Sequence, residues 1–87
     1  MTDLVLLTET IVKSLVKDPE TVSVKEFETD EDYILIQVMV DKEEMGSIIG
    51  REGRIANSIR TLVQAASFIS GNSKVRINID SFEELWK

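Results

Sequence analysis

The 87-residue sequence lacks cysteine and histidine altogether. The absence of cysteine excludes both a disulfide framework and a thiolate metal site. The absence of histidine removes the commonest general base and metal ligand, so that only carboxylates, lysines or Tyr33 remain for proton transfer. These two absences argue against an enzyme, and we expect no catalytic residues, no cofactor, no metal and no small-molecule substrate.

Proline occurs once and glycine four times, and neither residue gathers in a linker-like stretch. With no linker and no internal repeat, a chain of this length predicts one small domain, with a core of residues 1–80 and a short tail of residues 81–87. Long apolar runs are also missing, because Asp3 and Glu9 interrupt the N-terminal one and no basic segment precedes it. We therefore expect neither a signal peptide nor a membrane span, and a cytoplasmic protein without a membrane partner.

Helical periodicity is the first positive signal, between Thr2 and Lys17. The apolar residues of this segment recur at steps of three and four, as Leu4, Leu7, Ile11 and Leu15, flanked by Val12 and Val16. That spacing predicts an amphipathic helix with one broad apolar face, capped by Thr2 or Asp3. The helix is expected to end at Asp18-Pro19, because proline has no amide to donate and restricts the residue before it.

Alternating apolar residues then predict a hairpin of two strands. The first strand, Thr21 to Glu28, shifts phase at Phe27, which indicates a bulge or an early bend. Residues 29–32 form a polar turn, and the acidic run around it lacks the ligand spacing and central glycine of a calcium loop. The second strand is YILIQVMV, residues 33–40. Its less apolar face carries Tyr33, Leu35, Gln37 and Met39. That face is either a contact surface or a partly exposed strand face.

Two further helices are predicted on either side of a turn with the sequence GREG. Asp41 and Glu44 fit a capping box that opens a short helix ending at Gly50. The helix that follows Gly53 runs for about four turns and ends at Gly71. The apolar positions that mark it are Ile55, Ile59, Leu62, Val63, Ala66 and Ile69.

A third strand and a C-terminal turn complete the pattern. KVRINID, residues 74–80, alternates valine and isoleucine with polar residues, which predicts a strand with one polar face. Phe82, Leu85 and Trp86 fit one turn of helix packed back on the domain. The order helix, strand, strand, helix, helix, strand predicts an α+β fold, with a sheet covered on one face by three helices.

The GREG turn is the clearest candidate binding site. A helix that begins after Gly53 presents unpaired backbone amides and the positive end of its dipole, which suit a phosphate. Gly50 and Gly53 permit positive φ and the close approach of a backbone, while Arg51 and Arg54 can add charge-assisted contacts. Two simpler interpretations stay open, namely that GREG is a plain helix connection and that the arginines form a solvated helix face.

Charge is unevenly distributed around this turn. The formal net charge is −6, and residues 1–45 hold twelve acids against four bases, whereas residues 46–80 hold five bases and two acids. The positive charge therefore lies with the GREG helix and the last strand.

Neither the Walker pattern nor the dinucleotide fingerprint is present, which argues against a nucleotide cofactor. A nucleic-acid backbone would be held weakly, because the acidic half of the chain repels it.

A family resemblance rests on the segment MGSIIGREGRIANSIRTLVQAAS, preceded by YILIQVMVDKE and followed by KVRINID. These segments resemble the KH domain in its bacterial type II arrangement, and nearly the whole chain is similar to the small stand-alone KH proteins of the KhpA (YlqC) family. The resemblance implies a single type II KH domain of order α-β-β-α-α-β with a three-stranded mixed sheet. It also implies a GxxG loop that clamps about four nucleotides of single-stranded RNA.

The resemblance further implies which residues form the site. The RNA-binding residues would be Gly50, Arg51, Glu52 and Gly53 in the loop, Arg54 and Arg60 as further cations, and Ile48, Ile49 and Ile55 as an apolar floor. The groove wall is expected near Val38 and Val40. Two positions depart from the family pattern, because Glu52 is acidic and Asn57 stands where a lysine is often found. Glu52 is expected either to pair with a neighbouring arginine or to cap the helix.

Two functions follow from this resemblance. The first is RNA binding with low sequence specificity, as an RNA chaperone or a post-transcriptional regulator. The second is protein assembly, in which the chain forms a homodimer or a heterodimer with a larger Jag (KhpB)-type KH protein in the control of cell elongation, cell shape and division. In that case the exposed strand face and the tail with Trp86 would carry the contacts.

Overall fold

The fold is described here from a computed structural model, for residues 3–71 and 74–82. The helices are α1 (Leu4–Lys13), α2 (Met45–Ile49) and α3 (Arg54–Ile69), and the strands are β1 (Ser23–Glu28), β2 (Tyr33–Val40) and β3 (Lys74–Ser81). The predicted α+β fold of order α-β-β-α-α-β is confirmed. The predicted helical turn of Phe82, Leu85 and Trp86 lies, apart from Phe82, outside the described residues.

The sheet has the strand order β1-β2-β3, with β1 antiparallel and β3 parallel to the central β2. The predicted bulge in β1 is wrong, because its pairing with β2 is continuous from Ser23 opposite Met39 to Glu28 opposite Ile34. Phe27 lies on the side away from the helices and is 48% exposed. The apparent shift of phase therefore comes from an apolar residue placed on the outward face of a regular strand.

The helices cover the other face of the sheet and close the core over it. α1 packs against β1 and α3, and α3 packs along β3 and against α2. The buried strand residues of this core are Val24, Ile36, Val38, Val40, Val75 and Ile77. Small residues are buried with them, among them Thr8, whose hydroxyl donates to the Leu4 carbonyl oxygen at 2.7 Å. That bond satisfies the hydroxyl within the helix and lets Thr8 lie in an apolar layer.

Helix α1 begins where the sequence predicts and ends earlier. The Asp3 carboxylate accepts a hydrogen bond from the Leu6 amide at 3.1 Å, which confirms Asp3 as the N-cap. The helix stops at Lys13, four residues before the predicted end, and Pro19 instead opens a 3₁₀ turn. Within residues 3–71 and 74–82, no helix has the length and apolarity needed to cross a membrane.

Glu44 holds the segment that follows α1. Its carboxylate is buried, with the residue only 7% exposed, and accepts hydrogen bonds from the amides of Lys17 at 2.7 Å and Asp18 at 2.9 Å. The predicted capping box is therefore wrong, because Glu44 binds a distant segment and the Asp41 side chain makes no capping bond. A contact across 27 residues leaves no local pattern in the sequence.

Candidate nucleic-acid interface

The GREG loop joins α2 to α3 through three residues with positive φ. Gly50 has φ 74° and ψ 178°, Glu52 has φ 57° and ψ 24°, and Gly53 has φ 75° and ψ 13°. The Gly50 amide donates to the Gly46 carbonyl oxygen at 3.0 Å, and the Gly53 amide donates to the Gly50 carbonyl oxygen at 3.3 Å. The chain thus reverses in one tight 3₁₀ turn and enters α3 directly.

The two glycines have different surroundings. A Cβ atom on Gly50 would lie 2.6 Å from Cγ1 and 2.9 Å from Cδ1 of Ile55. The nearest atom to a Cβ on Gly53 would be Nδ2 of Asn57, at 4.0 Å. Gly50 is therefore required for the packing of the loop on α3, whereas Gly53 leaves the start of α3 open on its outer side.

The start of α3 is uncapped and surrounded by exposed charges. No side chain caps the helix at Gly53, and the amides of Gly53 and Arg54 donate to the carbonyl oxygens of Gly50 and Arg51, so the loop places the positive end of the α3 dipole next to its exposed side chains. Arg51, Glu52 and Arg54 are all exposed. Within the part of the chain that the structure describes, Glu52 forms no ion pair with either arginine, and both of its predicted intramolecular roles are wrong. The αL backbone of Glu52 leaves its side chain at the surface beside the arginines.

Of the apolar residues predicted to form a floor under the loop, one lies in the hydrophobic core and two lie next to the loop. Ile48 is fully buried in the hydrophobic core and anchors α2 to it. Ile49 and Ile55 are half-buried next to the loop. The groove wall predicted at Val38 and Val40 is wrong. Both residues are fully buried, because β2 is the central strand and lies under the helices.

Arg60 is separated from the loop and lies against the free edge of β3. Its Nε donates to the Ile77 carbonyl oxygen at 3.4 Å and its Nη1 donates to Oδ1 of Asn57 at 3.1 Å. Gln64, one helical turn later, donates to the Val75 carbonyl oxygen at 3.4 Å. Arg60 is six residues beyond Arg54, or roughly 9 Å along the helix axis. Gln64 is not among the predicted site residues, although its spacing of four from Arg60 places both on one helix face.

Comparisons with known proteins agree with this geometry. A family model described as KhpA/KhpB, KH domain, matches residues 6–79. RNA-binding protein KhpA of Clostridium perfringens is 48% identical over 73 residues, which cover 84% of this chain and 95% of that relative. RNA-binding protein KhpA of Lactiplantibacillus plantarum is 34% identical over 84 residues, which cover 97% of this chain and 96% of that relative.

A solved structure shares the fold at lower identity. Era from Aquifex aeolicus matches with a TM-score of 0.56 and 23% identity, over 93% of this chain and 32% of the Era chain. At that identity the match concerns the fold alone, and this chain spans about a third of Era. The family model and both relatives cover most of the sequence, and the type II order of elements places a GxxG loop between α2 and α3. The chain therefore belongs to the KhpA/KhpB KH-domain family.

Proposed function

We propose that this protein binds single-stranded RNA at the GREG loop, without catalysis, and that it acts in the cytoplasm as an RNA chaperone or post-transcriptional regulator. The observation that carries the proposal is the uncapped start of α3, open on the Gly53 side and flanked by exposed Arg51 and Arg54. The relatives named RNA-binding protein KhpA support RNA as the ligand. Amides and guanidinium groups in this arrangement suit phosphate oxygens.

Low sequence specificity follows from the kind of contact. Phosphate contacts position a nucleic acid and carry no direct sequence information, which is read at the base edges. Few cations lie at the loop, and the chain as a whole has a net charge of −6. We therefore expect a Kd on the order of micromolar or weaker for the domain alone at physiological salt.

A glycine exchange tests the site. We expect Gly53→Asp to weaken the binding of a fluorescently labelled, mixed-sequence RNA by at least about tenfold, because a carboxylate then faces the phosphate. Gly71→Asp is the matched control, since Gly71 also has a positive φ, 77°, and open space around its Cβ, at the far end of α3. Fluorescence anisotropy measures the affinity and circular dichroism confirms that both variants fold.

The outcomes separate a local site from a general charge effect. Loss in Gly53→Asp with retention in Gly71→Asp supports the GREG site. Equal loss in the two variants would assign the effect to net charge, and undiminished binding by Gly53→Asp would exclude the loop as the contact. A double change of Arg51→Asp and Glu52→Asp is a second probe of the loop, because both side chains are exposed and make no contact in the core.

The outward face of α3 favours a second candidate function, protein assembly. Phe68 and Ile69 are 84% and 83% exposed, and Leu62, two helical turns before Ile69 on the same side, is 56% exposed. The exposed positions from Thr61 to Ile69 are all uncharged residues, and Arg60 just before them is turned toward β3. Uncharged apolar surface is where an acidic chain can meet another protein without repulsion. A second copy of the chain, or a larger KhpB-type KH protein in cell elongation and division, would occupy this face.

Sedimentation over a range of concentrations tests this second candidate. We expect Phe68→Ser to weaken association, because it removes the most exposed aromatic ring of the α3 face. Phe27→Ser, an exposed phenylalanine on the sheet, is the matched control and should leave association unchanged. A chain that stays monomeric at all concentrations, with or without a KhpB-type protein, would exclude assembly.

A further inference from the structure

The sheet has an outward face that no helix of the described residues covers. Pleating alternates the side chains of each strand, so the partners of the buried valines and isoleucines point away from the helices. In the register of the sheet, this face carries the rows Tyr33 and Lys74, then Phe27, Leu35 and Arg76, then Lys25, Gln37 and Asn78, then Ser23, Met39 and Asp80. We call it the open face.

The open face differs in charge from the rest of the protein. Lys25, Lys74 and Arg76 are exposed on it, and Asp80 is its one acid among the described strand residues. The acids of β1, Glu26 and Glu28, fall on the opposite side of the strand. The open face therefore has a formal charge of +2 on a chain whose total is −6, and this sign favours a polyanion.

Aromatic rings lie among these cations. Phe27 is 48% exposed, and the Arg76 guanidinium lies 4.9 Å from the centre of the Tyr33 ring. Phe82 lies at the end of β3 and lines a shallow depression of about 440 Å³ together with Phe27 and Met39. Exposed rings and a stacked guanidinium give flat surfaces on which bases can stack, whatever their sequence.

The depression also has hydrogen-bonding groups in its floor. Nδ2 of Asn78 donates to Oε1 of Gln37 at 2.9 Å, and Nε2 of Gln37 donates to Sδ of Met39 at 3.3 Å. The pair leaves Oδ1 of Asn78 and further N–H groups for a ligand. Amide side chains at the centre of a cationic and aromatic surface suit the edge of an unpaired base.

We propose that the open face is a second binding surface for single-stranded RNA, seating two or three nucleotides in addition to those at GREG. Three arginines lie between the GREG loop and the open face. Arg54 lies at the loop, Arg60 contacts the Ile77 carbonyl at the edge of β3, and Arg76 is the neighbouring residue on the open face. An RNA that passes over this edge reaches both surfaces, and the second contact then gains from the first through effective concentration.

The inference rests in part on the proposed GREG site, and RNA length separates the two. An RNA of about four nucleotides occupies the loop alone, whereas one of about twelve is long enough for both surfaces. In wild type we expect the longer RNA to bind at least about tenfold more tightly than the shorter one. Arg76→Glu and Lys25→Glu should each remove most of that gain, and Phe27→Ala should reduce it by about fivefold or more. None of the three should change the binding of the short RNA.

Lys17→Glu is the matched control, because it makes the same change of charge at an exposed position on the helical side. Its ratio of long-RNA to short-RNA affinity should equal that of wild type. In ¹H–¹⁵N spectra, the long RNA should shift the side-chain amide signals of Gln37 and Asn78, and the short RNA should leave them in place.

Each outcome has a distinct meaning. If all three open-face variants still bind the long RNA more tightly than the short one by the wild-type factor, the inference is overturned. If Phe27→Ala then lowers the apparent mass of the protein in sedimentation, the open face belongs to a protein partner. Short-RNA binding that survives Gly53→Asp would instead contradict the proposed GREG site. Because the two failures appear with RNAs of different length, one can occur without the other.

Discussion

At the scale of single residues, the two glycines of the GxxG sequence have different roles. Gly50 is held against Ile55, where an added Cβ would lie within 2.6 Å of a side-chain carbon. Gly53 has a similar φ but an open outer side, where an added Cβ would meet Nδ2 of Asn57 only at 4.0 Å. One glycine therefore serves the fold, and the other keeps the start of α3 accessible.

This difference predicts unequal costs for the same substitution. Gly50→Ala should destabilise the protein by about 2–4 kcal/mol, because φ 74° with ψ 178° is nearly restricted to glycine and the new methyl group overlaps Ile55. Gly53→Ala should cost only about 1–2 kcal/mol, since it adopts an ordinary left-handed conformation in open space. Urea denaturation measures both free energies of unfolding. Equal costs would show that Ile55 moves away from the methyl group and that the packing does not constrain Gly50.

At the scale of elements, the connection from α1 to β1 depends on one carboxylate. Glu44 accepts hydrogen bonds from the amides of Lys17 and Asp18, which lie beyond the end of α1 at Lys13. A buried carboxylate with two amide donors is a charge-assisted arrangement of the stronger kind. It fixes the α1–β1 connection to the segment that opens α2.

Removing that carboxylate should loosen the connection. We expect Glu44→Ala to lower the free energy of unfolding by about 2–3 kcal/mol, because two partly buried amides lose their acceptor. Glu43→Ala, at the exposed neighbouring position, should change it by less than about 0.5 kcal/mol. Urea denaturation of the two variants makes the comparison. If both lose the same amount, the effect belongs to the local helix and not to the bonds across the chain.

The elements also show how far sequence alone leads. The hairpin strand Tyr33–Val40, the start of α3 after Gly53 and the alternation of β3 are confirmed, because each follows from a local period or a breaker residue. Leu62 and Ile69 belong to the apolar positions that mark α3 and are exposed, since helical spacing alone does not reveal which flank of a broad apolar stripe meets the sheet.

The site divides in the same way. The sequence predicts a turn between two helices in which Gly50 and Gly53 can take positive φ, but not the left-handed conformation of Glu52 between them. The position of Arg60 against β3, the burial of Val38 and Val40, and the bonds of Glu44 depend on strand order and on contacts between distant segments. The division into a core of residues 1–80 and a tail of residues 81–87 stays a prediction, although β3 itself extends to Ser81.

At the scale of the whole molecule, the balance of charge governs RNA affinity. If three to five cations contact phosphates, the logarithm of the binding constant should fall with the logarithm of the salt concentration at a slope of about −2 to −3.5. The sixteen acids act at longer range, and most of them lie in residues 1–45. Their repulsion is screened beyond about 10 Å at 0.1 M salt, so it opposes binding mainly at low ionic strength.

Neutralising distant acids should therefore raise affinity in a salt-dependent way. The triple variant Glu20→Gln, Glu26→Gln and Glu28→Gln changes exposed residues outside the GREG loop and the open face. We expect it to bind RNA about two- to threefold more tightly at low salt, because each unit charge acts weakly across water. Near 1 M salt, where the screening length is about 3 Å, the gain should disappear. Anisotropy titrations at several salt concentrations measure both regimes. A gain that persists at high salt would mean that one of the three carboxylates lies in direct contact with the RNA, and that the acidic half forms part of the binding surface.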